Sequence, residues 1–168
     1  MIAILPLTGH HERKTFDCGN NELNHWLASV AQQHRTKGVS STYVAVESDI
    51  STEILGFYAV SIAKLRGDEI PPAWTNKLPQ KVPVFRLGRL AVDNKHQGKG
   101  LGGKLLANAI SRARRISSEV GGIGILVDAK PDAIGFYEQY GFEHLADHPL
   151  KLFLRISYFD SLGIPRLT

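Results

Sequence analysis

The chain has 168 residues, enough for one domain (residues 1–168) that buries roughly 70% of its unfolded surface. Hydrophobic content of 43%, charged content of 21% and the lack of any apolar run near the ~20 residues that span a bilayer exclude a disordered or membrane-spanning chain. Net charge is a modest +4, and the single cysteine excludes an internal disulfide and fits a reducing cytoplasm. The start, Met1-Ile2-Ala3-Ile4-Leu5-Pro6, has no basic segment or cleavage pattern, so no secretory leader is expected.

Ile2 to Leu7 reads as a first strand. Asn20 or Asn21 can cap a helix with Glu22 in its first turn. Leu23, Trp26, Leu27, Val30, Ala31 and His34 then share one face, and Lys37-Gly38 ends the pattern. Thr42 to Glu47 and Ile54 to Ile62 are β-branched and aromatic runs. Pro71-Pro72 and Pro79 mark a loop that contains Trp74. Pro83 to Val92 reads as a central strand. After it, Leu101, Leu105, Leu106, Ala109, Ile110, Ala113 and Ile116 recur at helical spacing to about Ser118. Gly121-Gly122 breaks to a strand, Ile123 to Val127. Pro131 suits the first turn of a short helix reaching Tyr140, with Gly141 at its exit. Leu150 to Ser157 is a last strand.

Between the central strand and the long helix lies Gln97-Gly98-Lys99-Gly100-Leu101-Gly102. Strand, glycine turn, helix is a site for a phosphate, because the first helical turn has backbone N–H groups without intrahelical partners. Glycines allow positive φ and close approach of a diphosphate. The turn lacks the frame of a P-loop and the second acidic strand of a dinucleotide fold. From Ile70 to Lys104 the chain carries Lys77, Lys81, Arg86, Arg89, Lys95, Lys99 and Lys104 against only Asp93. Such a field attracts phosphates, whether of a coenzyme or of a nucleic acid, or is a solvated basic face. The seven histidines form no ligand set, so no metal is expected. Cys18 reads as a turn residue before a helix, with a nucleophile as the alternative.

Leu90-Ala91-Val92, Gln97-x-x-Gly100-x-Gly102 and Phe136-Tyr137-x-x-x-Gly141-Phe142 stand in the order of the GCN5-related N-acetyltransferases (GNAT), and the stretch from Pro83 to Phe142 resembles that family. The resemblance implies an α/β (α+β) fold. Its central sheet would be mixed, mostly antiparallel and flanked by helices, with a splayed central strand forming the acetyl-CoA cleft. It implies that Gln97, Gly98, Lys99, Gly100, Leu101 and Gly102 hold the pyrophosphate of acetyl-CoA. Leu90, Ala91 and Val92 would line the pantetheine arm, with Gly88 permitting the bend. Phe136 would lie beside the coenzyme, and Tyr137 would be the general acid at the sulfur. Lys130 stands three residues before Ala133, where the family often has Asn or Ser against the pantetheine.

A narrower resemblance covers most of the chain. Phe16-Asp17-Cys18-Gly19, Leu23-Asn24-x-Trp26-Leu27 and Pro83-Val84-x-x-Leu87-Gly88-Arg89-Leu90-Ala91-Val92-Asp93 are similar to the TacT-type toxins of toxin–antitoxin pairs. It implies acetylation of the amino group of aminoacyl-tRNA, which blocks translation, and a separate antitoxin, expected to be a small ribbon-helix-helix chain; a homodimer is a further option. Pro83 to Val92 holds no Asp, Glu or His to act as base. An α-amino group, with a pKa near 8, needs less help than a lysine near 10.4. Arg89, Arg86, Lys81 and Lys77 are then the expected tRNA contacts. Two alternatives stay open: acetylation of a protein N-terminus or small amine, and a non-catalytic acyl-CoA sensor, against which Tyr137 argues.

Overall fold

A computed structural model describes residues 2–70, 78–146 and 148–156. Seven strands are hydrogen-bonded in the order β1-β2-β3-β4-β5-β7-β6. They are β1 (Ala3–Pro6), β2 (Ser41–Val46), β3 (Gly56–Arg66), β4 (Lys81–Val92), β5 (Gly124–Asp128), β6 (Glu143–Leu145) and β7 (His148–Arg155). The β1–β2, β2–β3, β5–β7 and β6–β7 pairs are antiparallel, and β4–β5 is parallel. The helices are α1 (Asn21–Ser29), α2 (Ala31–Thr36), α3 (Leu101–Val120) and α4 (Ile134–Glu138). No helix among the described residues is long and apolar enough to cross a membrane.

The fold groups into two compact units, the first from Met1–Ser61 with Gly88–Ala109 and the second from Ile62–Leu87 with Ile110–Thr168. In the first unit, period-two alternation along β3 sorts the core. Phe57 and Ala59 join Trp26, Leu27 and Ala31 of α1 and α2 in one apolar cluster with Val44 and Val46. Gly56 and Tyr58 serve α3. A Cβ at Gly56 would meet Leu105 Cδ1 at 2.9 Å and the Ala91 carbonyl at 3.0 Å, so only glycine lets the helix sit this close. The buried Tyr58 hydroxyl donates to Asn108 Oδ1 at 2.6 Å. In the second unit Val82 and Val84 of β4, Leu126 of β5, Leu145 of β6 and Phe153 of β7 share a core.

Asn20 caps α1 as expected, its side chain accepting from Leu23 N. The helix expected to run to Lys37 instead breaks at Val30, whose φ of −114° ends α1 and opens α2. A β-branched residue is a weak point in a helix, and here its side chain packs against the core cluster. β3 runs on to Arg66, past the apolar run that marked it, and β6 was not expected. The short helix from Pro131 is a 3-10 turn (Pro131–Ala133) followed by α4. Trp74 and the sequence after Asp160 lie outside the described residues.

Candidate active-site elements

The first unit carries the glycine turn. β4 ends at Val92, and the buried Asp93 carboxylate accepts from Lys95 N at 3.0 Å, capping the 3-10 turn Asn94–His96. The Gln97 side chain turns back into the protein. Its amide nitrogen lies 2.9 Å from Val92 O, 3.3 Å from Cys18 O and 3.2 Å from Asn94 Oδ1. Gln97 is therefore a brace for the turn. Gly98 and Gly100 have φ of +77° and +80°, where side-chain-bearing residues are strained. No protein atom lies within 4 Å of a Cβ built on either, so the space above the turn is open. Lys104 N donates to Gly100 O at 3.2 Å, closing the first turn of α3. The N–H groups of Leu101, Gly102 and Gly103 precede that bond and have no acceptor within the helix. Exposed Lys99 and Lys104 flank them. Donors, helix dipole and two cations make a site that fits a diphosphate.

The expected coenzyme residues differ in exposure. Leu101 and Ala91 have buried side chains, so what they can offer is backbone. Leu90 and Val92 are partly exposed. The β4–β5 ladder is registered from Phe85↔Ile125 to Leu87↔Val127, one residue short of the end of β5 at Asp128. Arg89 lies with its guanidinium carbon 4.3 Å from the ring centroid of the buried Trp26, a cation–π contact that aims the charge. Trp26 is the core anchor its spacing suggested.

The second unit carries Tyr137 on α4. Its ring packs edge-on to Phe136 at 5.1 Å and to Phe142 at 5.5 Å. Burial pushes its phenol up to about 12, so the hydroxyl stays protonated at any physiological pH. Lys130 is exposed, and its backbone carbonyl accepts from Ala133 N at 2.9 Å. Gly135 is exposed in α4 with nothing within 4 Å of its Cβ position. Gly135→Ala is expected to raise the unfolding free energy by up to ~1 kcal/mol, read as a higher denaturant midpoint. An unchanged midpoint would show that α4 does not limit stability.

Of the basic residues, Arg86 is ion-paired and hydrogen-bonded to Asp128 on β5. The field counted along the sequence is weaker by that pair, because Asp128 lies outside the stretch that was counted. Lys81 is exposed at the start of β4, and Lys77 lies outside the described residues. Sequence reasoning missed Asp93 and the side-chain role of Gln97. The signal available was the recurrence of polar residues, Asp17, Asn24 and Asp93, inside otherwise apolar motifs.

Known proteins resemble this chain over most of its length. Residues 39–144 match the family model described as an acetyltransferase (GNAT) domain. A tRNA-acetylating toxin of Mycobacterium tuberculosis (strain ATCC 25618 / H37Rv) is 35% identical over 141 residues, 83% of each chain. The solved structure of AtaT complexed with acetyl-methionyl-tRNAfMet is similar with a TM-score of 0.88 at 28% identity, covering 98% of this chain and 100% of the other. A tyrosine-to-phenylalanine mutant of AtaT, bound to the C-terminus of the antitoxin AtaR and acetyl-CoA, gives 0.79 at 27% identity, covering 98% and 99%. Matched by the family model over residues 39–144 and 35% identical to a relative across 83% of each chain, the chain belongs to the GNAT acetyltransferase family.

Proposed function

We propose that the protein transfers the acetyl group of acetyl-CoA to the α-amino group of an aminoacyl-tRNA, and that a partner antitoxin restrains it. The observation that carries this is the open, positive-φ glycine turn at the head of a 20-residue helix, in a chain 35% identical to a tRNA-acetylating toxin. The reaction belongs in the cytoplasm, where charged tRNA is found. A small ribbon-helix-helix chain is the form of antitoxin we expect, by resemblance.

The N–H groups of Leu101, Gly102 and Gly103 take the diphosphate, and Leu90 and Val92 offer backbone to the pantetheine and thioester oxygen. The neutral α-amine attacks the thioester carbonyl. A C–N bond forms, the C–S bond breaks and the amine gives its proton to solvent. Tyr137 donates a proton to the departing thiolate and regains one from water. With no carboxylate on Pro83 to Val92, the base is the bulk solvent, which an amine of pKa about 8 can use. Arg89, aimed by Trp26, contacts acceptor-end phosphate, with Lys81 and Lys77 as outer contacts. Arg86, paired with Asp128, contributes less.

The decisive experiment incubates the protein with acetyl-CoA and charged tRNA and looks for acetylated aminoacyl ends. Arg89→Glu is expected to slow that reaction while acetyl-CoA affinity stays nearly unchanged. It should also flatten the salt dependence by about 0.7–0.9 in log–log slope for each phosphate the variant no longer neutralises. Turnover on free amino acids or peptide N-termini with none on charged tRNA would favour the small-amine reading. Coenzyme binding without turnover on any amine would favour a sensor.

A further inference from the structure

The two positive-φ glycines of the turn have no side chains to hold them. Gly98 and Gly100 touch nothing at their Cβ positions, so the turn's geometry is set at its ends. The far end is helix α3. The near end is tied to a segment far away in sequence. The Asp17 N–H donates to Asp93 Oδ2 at 3.1 Å across 76 positions. Asn94 N donates to Asp17 O at 2.8 Å. The Gln97 amide reaches Cys18 O at 3.3 Å. Gly19, at φ +85°, packs so close that a Cβ would meet Asn94 Oδ1 at 3.2 Å.

The remote segment is itself rigid. The Asp17 Oδ1 accepts from Gly19 N at 2.9 Å and from Asn24 Nδ2 at 2.9 Å, while Asn24 Oδ1 accepts from Cys18 N at 2.9 Å. Asn20 then caps α1. Asp93 is the hub. Its carboxylate is buried, 6% exposed, and serves two backbone donors, while its own N–H donates to Leu55 O at 2.9 Å.

We propose that Asp93 is a positioning residue for the coenzyme: it fixes the glycine turn by bracketing it to the Asp17–Gly19 turn. A preformed turn spends no binding energy on ordering itself, so loosening the bracket weakens coenzyme binding and leaves chemistry intact. The inference rests on the reading of the glycine turn as the acetyl-CoA site.

Asp93→Asn tests it, because Asp17 N and Lys95 N bond different carboxylate oxygens and the amide leaves an acceptor at only one of the two positions. Calorimetry with acetyl-CoA should show affinity falling about tenfold or more, the expected loss of a hydrogen bond to a buried charged acceptor. Binding stoichiometry and the single-turnover rate on charged tRNA at saturating acetyl-CoA should stay near wild type. A purely structural role would do the reverse, lowering stoichiometry and leaving the affinity of the folded fraction unchanged. If Asp93→Asn does not melt cooperatively, Asp17→Ala decides instead. Its carboxylate is exposed, and its loss frees Gly19 and Asn24. A folded variant with affinity within about twofold of wild type, where a lost hydrogen bond predicts more, overturns the proposal. Wild-type protein that does not bind acetyl-CoA overturns the reading of the turn itself.

Discussion

Tyr137→Phe should lose roughly 100- to 10,000-fold in acetyl transfer, the usual contribution of a positioned general acid. The packing should survive, because the edge contacts to Phe136 and Phe142 are made by the ring. The pH dependence sharpens the test. With the phenol pushed up to about 12, the acid form persists through the neutral range. The wild-type rate should therefore rise with pH as the α-amine deprotonates near pH 8, and this tyrosine should impose no falling limb until pH approaches about 12. The stability linkage has a definite sign. A folded-state value above the unfolded one, about 10, gives a contribution that is full below pH 10 and lost as pH rises towards about 12. The Phe variant should lack that alkaline loss. A variant that turns over within a few-fold of wild type would place the proton donor elsewhere.

Gly100→Val should cut acetyl-CoA affinity by roughly 5- to 150-fold, the binding equivalent of about 1–3 kcal/mol of backbone strain. At φ +80° a β-branched residue must either bear that strain or move the turn, and the turn has room to move because no protein atom lies within 4 Å. Cooperative melting should persist, since the change meets no core atom. Gly102 offers the contrast. It lies inside α3 and is not among the positive-φ glycines, so Gly102→Ala is comfortable for the backbone. Any affinity it loses reports how closely the diphosphate approaches. Equal affinity for wild type and Gly100→Val would remove the turn from coenzyme binding.

Elements set by local pattern were legible in the sequence. α3 announced itself through seven apolar residues at helical spacing, and β4 through its apolar run bounded by Pro83 and the glycines. Elements set by distant partners were not. β6 is three residues long and exists through its ladder to β7. The second half of β3, Ala63-Lys64-Leu65-Arg66, is too polar to mark a strand by itself. The site followed the same division. Gly98 and Gly100 could be read directly, because positive φ is a local demand. The work of Gln97 and Asp93 could not, because their partners at Asp17 and Cys18 are brought to them only by folding. The pairing of Arg86 with Asp128 was hidden for the same reason.

The first unit is built from two stretches of chain, and Ile62–Leu87, which belongs to the second unit, separates them in sequence. Its contacts are therefore of high sequence separation, and their loop-closure entropy must be met before they reward the chain. Such contacts slow folding relative to a unit held by local contacts alone. A nascent chain carries Asp17 long before Asp93 is made, so the bracket cannot close early. The consequence is temporal: while the ribosome is still synthesising residues before Asp93, the Asp17 N–H has no carboxylate to bind, so the two stretches of this unit are joined only after chain growth has passed them both.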